Sequence, residues 1–350
     1  RSCPAVMRHM SVARRGSRHN GPQPCAKLHR VQAMPALRAA SATTTSPKNK
    51  SACPLTGISD RLHLATFADA RNPILMRHFV RHYATAVGVP LAHFLVFVHG
   101  NASLPASREM RALLLASGVP ESGVRAVEER WSDKLMLSLV NAHIKTLPKD
   151  HWFIYPNADE FFSYPCDLSA RIARGDRGFG NAQVFCACME DRVAASGRVT
   201  PLRDAPAIES QYPRPCYMRR NLAAHMNTRK VTLFQVAARP TKGRRQYNSP
   251  HKLAYMSGKA GRCNPIGAFA HYTMTTQYVG AIEHKLKSFG WPASVLNDYQ
   301  TQLRFLREHA EGDGGKSALD HKWCRTKPPL SPFVCDDPRP EHDEALVGSV

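Results

Sequence analysis

The chain has 350 residues, of which 43% are hydrophobic and 21% charged. This composition is typical of a globular protein with one sizeable domain and a tail. The formal net charge is +21 and the pI about 9.9, so the protein will attract polyanions such as nucleotide phosphates, acidic glycans, anionic membranes or nucleic acid. No apolar run is long enough to span a bilayer, so membrane attachment is expected only through an anchor upstream of Arg1.

The cysteine content is even, which permits disulfides of the kind found in secretory-pathway proteins. The ten cysteines are Cys3, Cys25, Cys53, Cys166, Cys186, Cys188, Cys216, Cys263, Cys324 and Cys335. No Cys-x-x-Cys pair occurs, which argues against a zinc ribbon or a thioredoxin-like site. Cys186 and Cys188 alternate along a predicted strand, so we expect them in the core rather than as metal ligands.

Residues 1–57 form a basic segment rich in Arg, Ala, Ser, Pro and Lys, with linker composition at 41–50. We expect it to be disordered. Three interpretations stay open: a targeting segment, a stem that follows a membrane anchor, and a nucleic-acid-binding arm. Composition argues against the nucleic-acid-binding arm, because the segment has no aromatic residues on which bases could stack.

The predicted ordered elements start with a βαβ unit. Leu62–Phe67 is a short strand and 68–73 a polar loop. Apolar residues then recur at helical spacing from Ile74 to Ala84, with Gly88 as the stop, and Phe94–His99 is a buried strand. Such a unit predicts a parallel sheet with a right-handed crossover.

The rest of the chain continues this alternation of strands and helices. Strands are predicted at 124–127, 152–155, 182–189, 230–236 and 266–272, and helices at 110–115, 131–144, 168–173, 278–291 and 303–309. The predicted fold class is α/β: a Rossmann-like, mixed, mostly parallel sheet flanked by helices in a single domain. We place this domain at 58–295, followed by a C-terminal helix and Pro-rich tail at 296–350.

The stretch from His151 to Phe162 concentrates chemistry at a strand end. A short aromatic strand stops at Pro156 and is followed by Asn157, Asp159 and Glu160. In an open α/β sheet, ligands bind at the carboxyl ends of the strands. Carboxylates there suit Mg²⁺ or Mn²⁺, which often bridge nucleotide phosphates. The alternative interpretation is a solvated acidic turn.

The run Trp-Phe-Ile-Tyr-Pro-Asn-Ala-Asp-Glu-Phe-Phe resembles the acidic signature of GT-A-fold glycosyltransferases, of the family-2-like and family-92 groups. Their Asp-x-Asp element holds a divalent metal and the diphosphate of a nucleotide sugar. The resemblance implies that Asp159 and Glu160 bind Mn²⁺ or Mg²⁺. Asn157 stands where the first Asp is usual, so it implies a neutral contact to the nucleotide ribose.

The opening βαβ unit resembles the same transferases, in which a polar loop after the first strand contacts the base and ribose. By this resemblance Asp69, Arg71 and Asn72 bind the nucleotide, with Asn101 and Ser103 nearby. The alternatives are a surface charge for Arg71 and a helix cap for Asn72. Asn101-Ala102-Ser103 also fits an N-glycosylation sequon, which we discount at such an edge.

A second strand is expected to end in carboxylates, at Glu190 and Asp191. An inverting glycosyl transfer needs a general base beside the acceptor hydroxyl, and in family-2-like enzymes a Glu-Asp pair supplies it. We therefore assign Asp191 as the base, with Glu190 second. The alternative is a structural ion pair between Asp191 and Arg192.

Late in the chain, two histidines and a basic loop are further candidates. GT-A enzymes often complete the metal site with a late His, and His271 fits best, with His251 second; a structural role is the alternative. The basic loop Thr241–Tyr247 suits a diphosphate or an acidic acceptor, with simple solvation as the alternative. Lys134 could touch a phosphate, but a solvated lysine at the helix start explains this residue better.

Together these features predict a metal-dependent glycosyltransferase that moves a sugar from a nucleotide-sugar donor to a glycan, protein or lipid acceptor, with inversion. The sequence lacks Gly-x-Gly-x-x-Gly, a Walker loop and Gly-x-Ser-x-Gly, which argues against dinucleotide oxidoreductases, P-loop kinases and common hydrolases. Two alternatives remain: a non-catalytic binding protein on the same fold, and a basic protein associated with nucleic acid. The expected location is the secretory pathway, at the Golgi, and an organelle or the cytoplasm is the alternative.

Overall fold

A computed structural model describes residues 53–129, 132–175, 183–216, 229–239, 243–244, 247–249, 252–253, 265–288, 293–310, 318–319 and 324. The strands within these ranges are β1 Leu62–Asp69, β2 Phe94–His99, β3 Val124–Val127, β4 Trp152–Ile154, β5 Glu160–Phe162, β6 Val184–Val193, β7 Arg214–Cys216, β8 Arg229–Gln235, β9 Ala238–Arg239, β10 Gly243–Arg244, β11 Tyr247–Ser249, β12 Lys252–Leu253 and β13 Pro265–His271.

The described helices alternate with these strands. They are α1 Pro73–Arg81, α2 Pro105–Ala116, α3 Asp133–Thr146, α4 Leu168–Ala173, α5 Ile208–Gln211, α6 Thr276–Ser288 and α7 Ala293–Glu308. A π-helical turn continues α1 over His82–Val87, and 3-10 turns span Thr56–Arg61, Leu91–His93 and Glu121–Gly123.

Nine of the described strands form one mixed sheet. Their order is β3-β2-β1-β4-β8-β6-β13-β5, and β7 pairs with β6. The strands β5, β7 and β8 run antiparallel to their neighbours, whereas the others share one direction. The predicted α/β class with a mixed, mostly parallel sheet is therefore confirmed.

The predicted βαβ unit is present, and its boundaries follow from local chemistry. The Asn72 side chain accepts a hydrogen bond from the backbone N–H of Leu75, with Pro73 in the first turn, so α1 begins there. The helical run ends at Gly88, whose φ of 83° lies in the left-handed region that glycine adopts without a steric penalty. The strands β1 and β2 then pair in parallel.

Helices cover both faces of the sheet. Alternate residues of β1 point to opposite sides, so Leu64 joins one buried cluster with α1 and α2, while Phe67 joins another with α3. A third buried cluster packs α6 against α7 and includes Cys216. Among the described residues, no helix combines the length and apolar character needed to cross a membrane.

Disulfides join distant parts of the described chain. Cys53 is bonded to Cys166 and Cys216 to Cys324, over 113 and 108 residues of sequence. Cys186 and Cys188 are disulfide-bonded as well, beyond their expected role as core residues.

The ends of the predicted domain can be compared with the described elements. Residues 1–52 of the predicted basic tail lie outside the described residues. Leu55 has only 1% of its surface exposed, so the fold already includes chain before residue 58. At the other end, the predicted boundary at 295 falls inside α7.

Candidate active site at the carboxyl edge of the sheet

The carboxyl ends of the codirectional strands bring the predicted acidic residues and His271 to one edge of the sheet. Asp69 ends β1, the loop with Asp159 follows β4, Asp191 lies near the end of β6, and His271 ends β13. The strand order places β1 and β13 four strand spacings apart, or about 19 Å. The candidate site is therefore an extended strip rather than a point.

Asp159 and His271 meet at the β13 end of this strip. The distance from His271 Nε2 to Asp159 Oδ2 is 3.4 Å. The two segments are also joined through the backbone, because the Tyr272 N–H donates to the Asp159 carbonyl oxygen at 2.8 Å. The Asp159 side chain is 19% exposed and that of His271 is 1% exposed. Of the predicted metal ligands, these two are brought together by the fold.

Asp191 lies on the other side of the His271 ring. Its Oδ1 is 2.7 Å from His271 Nδ1, and the side chain is 2% exposed. The sequence predicted that β6 would stop before the acidic pair, but the strand continues to Val193. Asp191 is consequently flanked in the sheet by β13 and β7, opposite His271 and Cys216. This burial does not favour its predicted role as general base.

Glu160 is turned into the protein instead of toward the edge. It is the first residue of β5, not the end of β4, and pairs with His271 across the antiparallel ladder. Its side chain is fully buried and accepts a hydrogen bond from Lys230 Nζ at 2.6 Å. Lys230 is itself buried and lies 5.2 Å from the centre of the Tyr155 ring. These contacts do not favour Glu160 as a metal ligand.

Asn157 is bound to the same carboxylate. Its backbone N–H donates to Glu160 Oε2 at 2.8 Å, and its side-chain Nδ2 donates to Oε1 at 3.2 Å. Asn157 thus closes the loop over the buried ion pair. The predicted contact to ribose would have to use the carbonyl oxygen of its side chain.

The strand β5 is fixed by a second buried group, the Tyr83 hydroxyl. This hydroxyl donates to the Glu160 carbonyl oxygen at 2.8 Å and accepts from the Phe162 N–H at 3.0 Å. Burial raises the pKa of Tyr83 well above its usual value, so it remains a neutral donor. The acidic loop is therefore anchored by buried polar contacts as well as by strand pairing.

Glu190 is the more exposed carboxylate of the predicted catalytic pair, at 15% of its side chain. Arg192 Nη2 donates to Glu190 Oε2 at 2.5 Å. The expected ion pair of Arg192 is thus with Glu190, two residues away on the same side of the strand, rather than with Asp191. Burial also raises the pKa of the nearby Tyr272 hydroxyl above its ordinary value.

The predicted nucleotide loop has its side chains engaged with one another. Arg71 donates to Asp69 through Nε at 2.9 Å and Nη2 at 2.5 Å, a two-point contact. Burial alone would raise the pKa of Asp69, but the hydrogen bonds and charge of Arg71 outweigh it and lower that pKa. The Asn72 side-chain oxygen caps α1, as the alternative interpretation proposed.

Asn101 and Ser103 form a turn after β2. Asn101 Oδ1 accepts hydrogen bonds from the Ser103 N–H at 2.9 Å and from its hydroxyl at 2.7 Å. Both residues are exposed, as is Lys134 near the start of α3. His251 lies outside the described residues, and so does most of the basic loop Thr241–Tyr247.

The helix α6 adds basic residues to this end of the strip that the sequence did not assign. Lys285 lies close enough to lower the pKa of Asp69, although Arg71 acts on it more strongly. Burial raises the pKa of Asp133 above its usual value, and the charge of Lys285 opposes this rise. Lys285 Nζ lies 5.4 Å from the centre of the Tyr299 ring. The nucleotide loop and α6 are therefore electrostatic neighbours.

The geometry of Asp159 and His271 fits a shared divalent cation. Two ligand atoms about 2.1 Å from one cation lie about 3.0 Å apart at 90° and about 3.4 Å apart at a tetrahedral angle, and the observed separation is 3.4 Å. No group of three or more His, Cys, Asp or Glu side chains in the described part of the chain is placed to hold a metal. The pair suits a cation whose remaining ligands come from substrate phosphates.

A second cluster of titratable groups lies at the opposite, amino-terminal edge of the sheet. His63 Nε2 is 2.7 Å from His151 Nδ1, and the His63 ring stacks on His93 with centroids 4.3 Å apart and meets the edge of His143. Burial, then the neighbouring imidazoles, lower the pKa of His63 to about 3. Burial, then Arg125, lower that of His143 to about 4.

The sequence missed Lys230 and the histidine cluster for different reasons. Lys230 was included in a strand without a role, because its partner is 70 residues away in sequence. The four histidines come from separate elements and share no motif. A signal existed for three of them, however, since His63, His93 and His151 lie at or next to the starts of predicted strands.

An open groove lies elsewhere, along α7. Its described lining residues are Gln300, Leu303, Arg304, Arg307, Glu308 and Ala310. It contains none of the strand-end side chains described above, so it does not bear on their chemistry.

Comparison with known proteins adds little to the fold described above. No protein family and no curated protein matches the chain. A structure of S. aureus TarS 1–349 aligns with 71% of this chain and 73% of its own, at 8% identity and a TM-score of 0.26. A structure of 4-diphosphocytidyl-2C-methyl-D-erythritol synthase aligns with 50% of this chain and 75% of its own, at 11% identity and a TM-score of 0.23. Similarity this low carries no argument about activity.

Proposed function

We propose that this protein is a GT-A-like glycosyltransferase that uses a nucleotide-sugar donor and a divalent cation, Mn²⁺ or Mg²⁺. The observation that carries the proposal is the approach of His271 Nε2 to Asp159 Oδ2, at 3.4 Å, where the acidic loop crosses the carboxyl edge of the sheet. Such an edge is the usual ligand site of open α/β sheets. The resemblance of the acidic loop to transferase sequences supports the same chemistry.

In this proposal Asp159 and His271 hold the cation against the donor diphosphate. When bound, the cation supplies Lewis acidity and stabilises the charge of the departing nucleotide. Asp69 and Arg71, at the other end of the strip, orient the nucleotide, with Asn72 and Asn101 shaping the adjoining turns.

The acceptor side of the reaction requires a general base for an inverting transfer. Glu190 is the better candidate of the acidic pair, because its side chain is 15% exposed whereas that of Asp191 is 2% exposed. A hydroxyl of a glycan, protein or lipid is the proposed acceptor.

The proposed compartment is the secretory pathway. Two disulfides join distant parts of the described chain, and such bonds persist in oxidising compartments. The disulfides point to an oxidising environment, and among the compartments of the secretory pathway the Golgi suits a transferase of this class.

Donor binding tests the proposal directly. We would measure binding of a panel of nucleotide sugars by calorimetry, with and without Mn²⁺, for the wild type, Asp159→Asn and Asp150→Asn. Asp150 is exposed and precedes β4 at the opposite edge, so its variant matches the charge change away from the site. We expect one donor to bind in a metal-dependent manner, with affinity lost at least tenfold only in Asp159→Asn.

Two outcomes would contradict the proposal. Absence of donor binding by the wild type at millimolar Mn²⁺ would favour a non-catalytic protein on the same fold. Equal binding by wild type and Asp159→Asn would remove Asp159 from the site. Salt-sensitive polyanion binding that disappears on deletion of residues 1–52 would instead support the nucleic-acid alternative.

A further inference from the structure

The contacts of the His271 ring define which of its nitrogens carries hydrogen. Nδ1 lies 2.7 Å from Asp191 Oδ1 and 3.5 Å from the Thr273 hydroxyl. A carboxylate only accepts hydrogen bonds, so Nδ1 is the donor in this contact. In the neutral ring, Nε2 then has the lone pair, and this nitrogen is the one that faces Asp159.

We infer that Asp191 is a positioning residue that holds the His271 ring with its Nε2 lone pair toward Asp159, and that it is not the general base. The inference rests on the proposed function, which supplies the cation. Histidines that bind metals usually donate their other ring N–H to a carboxylate or carbonyl oxygen, which fixes both the tautomer and the ring orientation.

The fold supports this role in two ways. Asp191 and His271 are register partners in the parallel ladder between β6 and β13, so their side chains leave the sheet on the same face. Both are at least 98% buried, at 2% and 1% exposure. A base must reach the acceptor hydroxyl, whereas a positioning residue has to reach only the ring.

The role can be tested by nuclear magnetic resonance of the ring nitrogens of the metal-free, full-length protein. The His271 signals would be assigned by their absence in His271→Asn. We expect the neutral ring of the wild type to carry its hydrogen on Nδ1. We expect Asp191→Asn to lose this preference, because an amide can donate to Nδ1 and favour the other tautomer. Glu190→Gln, with the same charge change one residue away, should keep it.

The second measurement is the affinity for Mn²⁺ in the absence of sugar donor and acceptor, determined by electron paramagnetic resonance. We expect Asp191→Asn to bind Mn²⁺ about 10- to 100-fold more weakly than the wild type, and Glu190→Gln to bind it equally. A general base would not change metal affinity in the absence of an acceptor. Circular dichroism would confirm that the variants are folded. If Asp191→Asn does not fold, the tautomer of His271 in the wild type alone decides whether Asp191 positions the ring.

The outcomes separate this inference from the proposed function. A neutral wild-type ring with its hydrogen on Nε2 instead of Nδ1, or equal Mn²⁺ affinity of wild type and Asp191→Asn, overturns the positioning role and leaves the proposed function standing. Failure of the wild type to bind Mn²⁺, with the expected tautomer present, overturns the metal-dependent function and the cation part of the inference while leaving Asp191 as the group that orients the ring.

Discussion

Replacement of Lys230 by methionine is expected to destabilise the protein by about 3–5 kcal/mol, because it leaves the buried Glu160 carboxylate without a counter-charge. The Nζ–Oε2 distance is 2.6 Å. At an effective dielectric constant of 20, the Coulomb attraction across it is about 6 kcal/mol. Desolvation of the two ions costs several kcal/mol each and offsets most of this attraction. The pair is therefore a weak net stabiliser whose members depend strongly on each other.

A double-mutant cycle measures this dependence. Urea unfolding of the full-length protein with its disulfides intact would be compared for wild type, Lys230→Met, Glu160→Gln and the double variant. We expect the double variant to lose only about 2 kcal/mol, well below the sum of the single losses, because neither charge remains buried. Lys134→Met, on the exposed side of α3, is the control and should change stability by less than about 0.5 kcal/mol. A loss below about 1 kcal/mol for Lys230→Met, or additive losses, would refute the reasoning.

Three further predictions concern buried polar groups. Asn157→Asp should lower the unfolding free energy by about 2 kcal/mol, because a donor 3.2 Å from Glu160 Oε1 becomes a second carboxylate; an unchanged urea midpoint would contradict this. Tyr83→Phe should cost about 2 kcal/mol in the same assay, since two buried hydrogen bonds are lost. The unfolding free energy should fall by about 2 kcal/mol from pH 7 to pH 5, after allowance for partial exposure of the rings. The reason is that His63 and His143, with pKa values lowered to about 3 and about 4, stay neutral in the folded protein, whereas the same histidines in the unfolded chain bind protons below pH 6.5. His143→Leu should show a smaller decrease of the unfolding free energy between pH 7 and pH 5. An equal decrease would remove His143 from the explanation.

The sequence predicted most strands and helices because their periodicity is local. The helical run that ends at Gly88, the parallel pairing of β1 with β2, and the strand at Val124–Val127 all follow from apolar spacing and turn residues. The fold class could be obtained in the same way, since alternating strands and helices favour a mostly parallel sheet.

The acidic loop shows where local patterns fail. Asp159 and Glu160 are adjacent carboxylates, and nothing in the sequence separates their roles. The new strand that starts at Glu160 sends its side chain inward to Lys230, while Asp159 remains partly exposed. That distinction depends on a lysine 70 residues later in the chain, which no local motif could supply.

The burial of Asp191 was not predicted, for a related reason. A strand that ends in carboxylates was expected to expose them, but β6 continues to Val193 and is paired on both sides. Whether a polar residue ends a strand or lies inside it depends on the length of its partners. The same pairing brings His271 within 2.7 Å of Asp191, so two separately predicted candidates become one unit.

The position of β13 in the sheet has a consequence for the order of folding. This strand lies between β6 and β5, although more than 100 residues separate β5 from it in sequence. During synthesis, β5 cannot pair with β13 until the chain has reached residue 271. The Asp159 carbonyl oxygen likewise cannot accept its hydrogen bond until the Tyr272 N–H has been synthesised. The amino-terminal βαβ unit can form early, whereas non-local pairings of this kind form late and slowly. The acidic loop therefore acquires its shape only when the sheet is completed, which couples assembly of the candidate site to assembly of the whole domain.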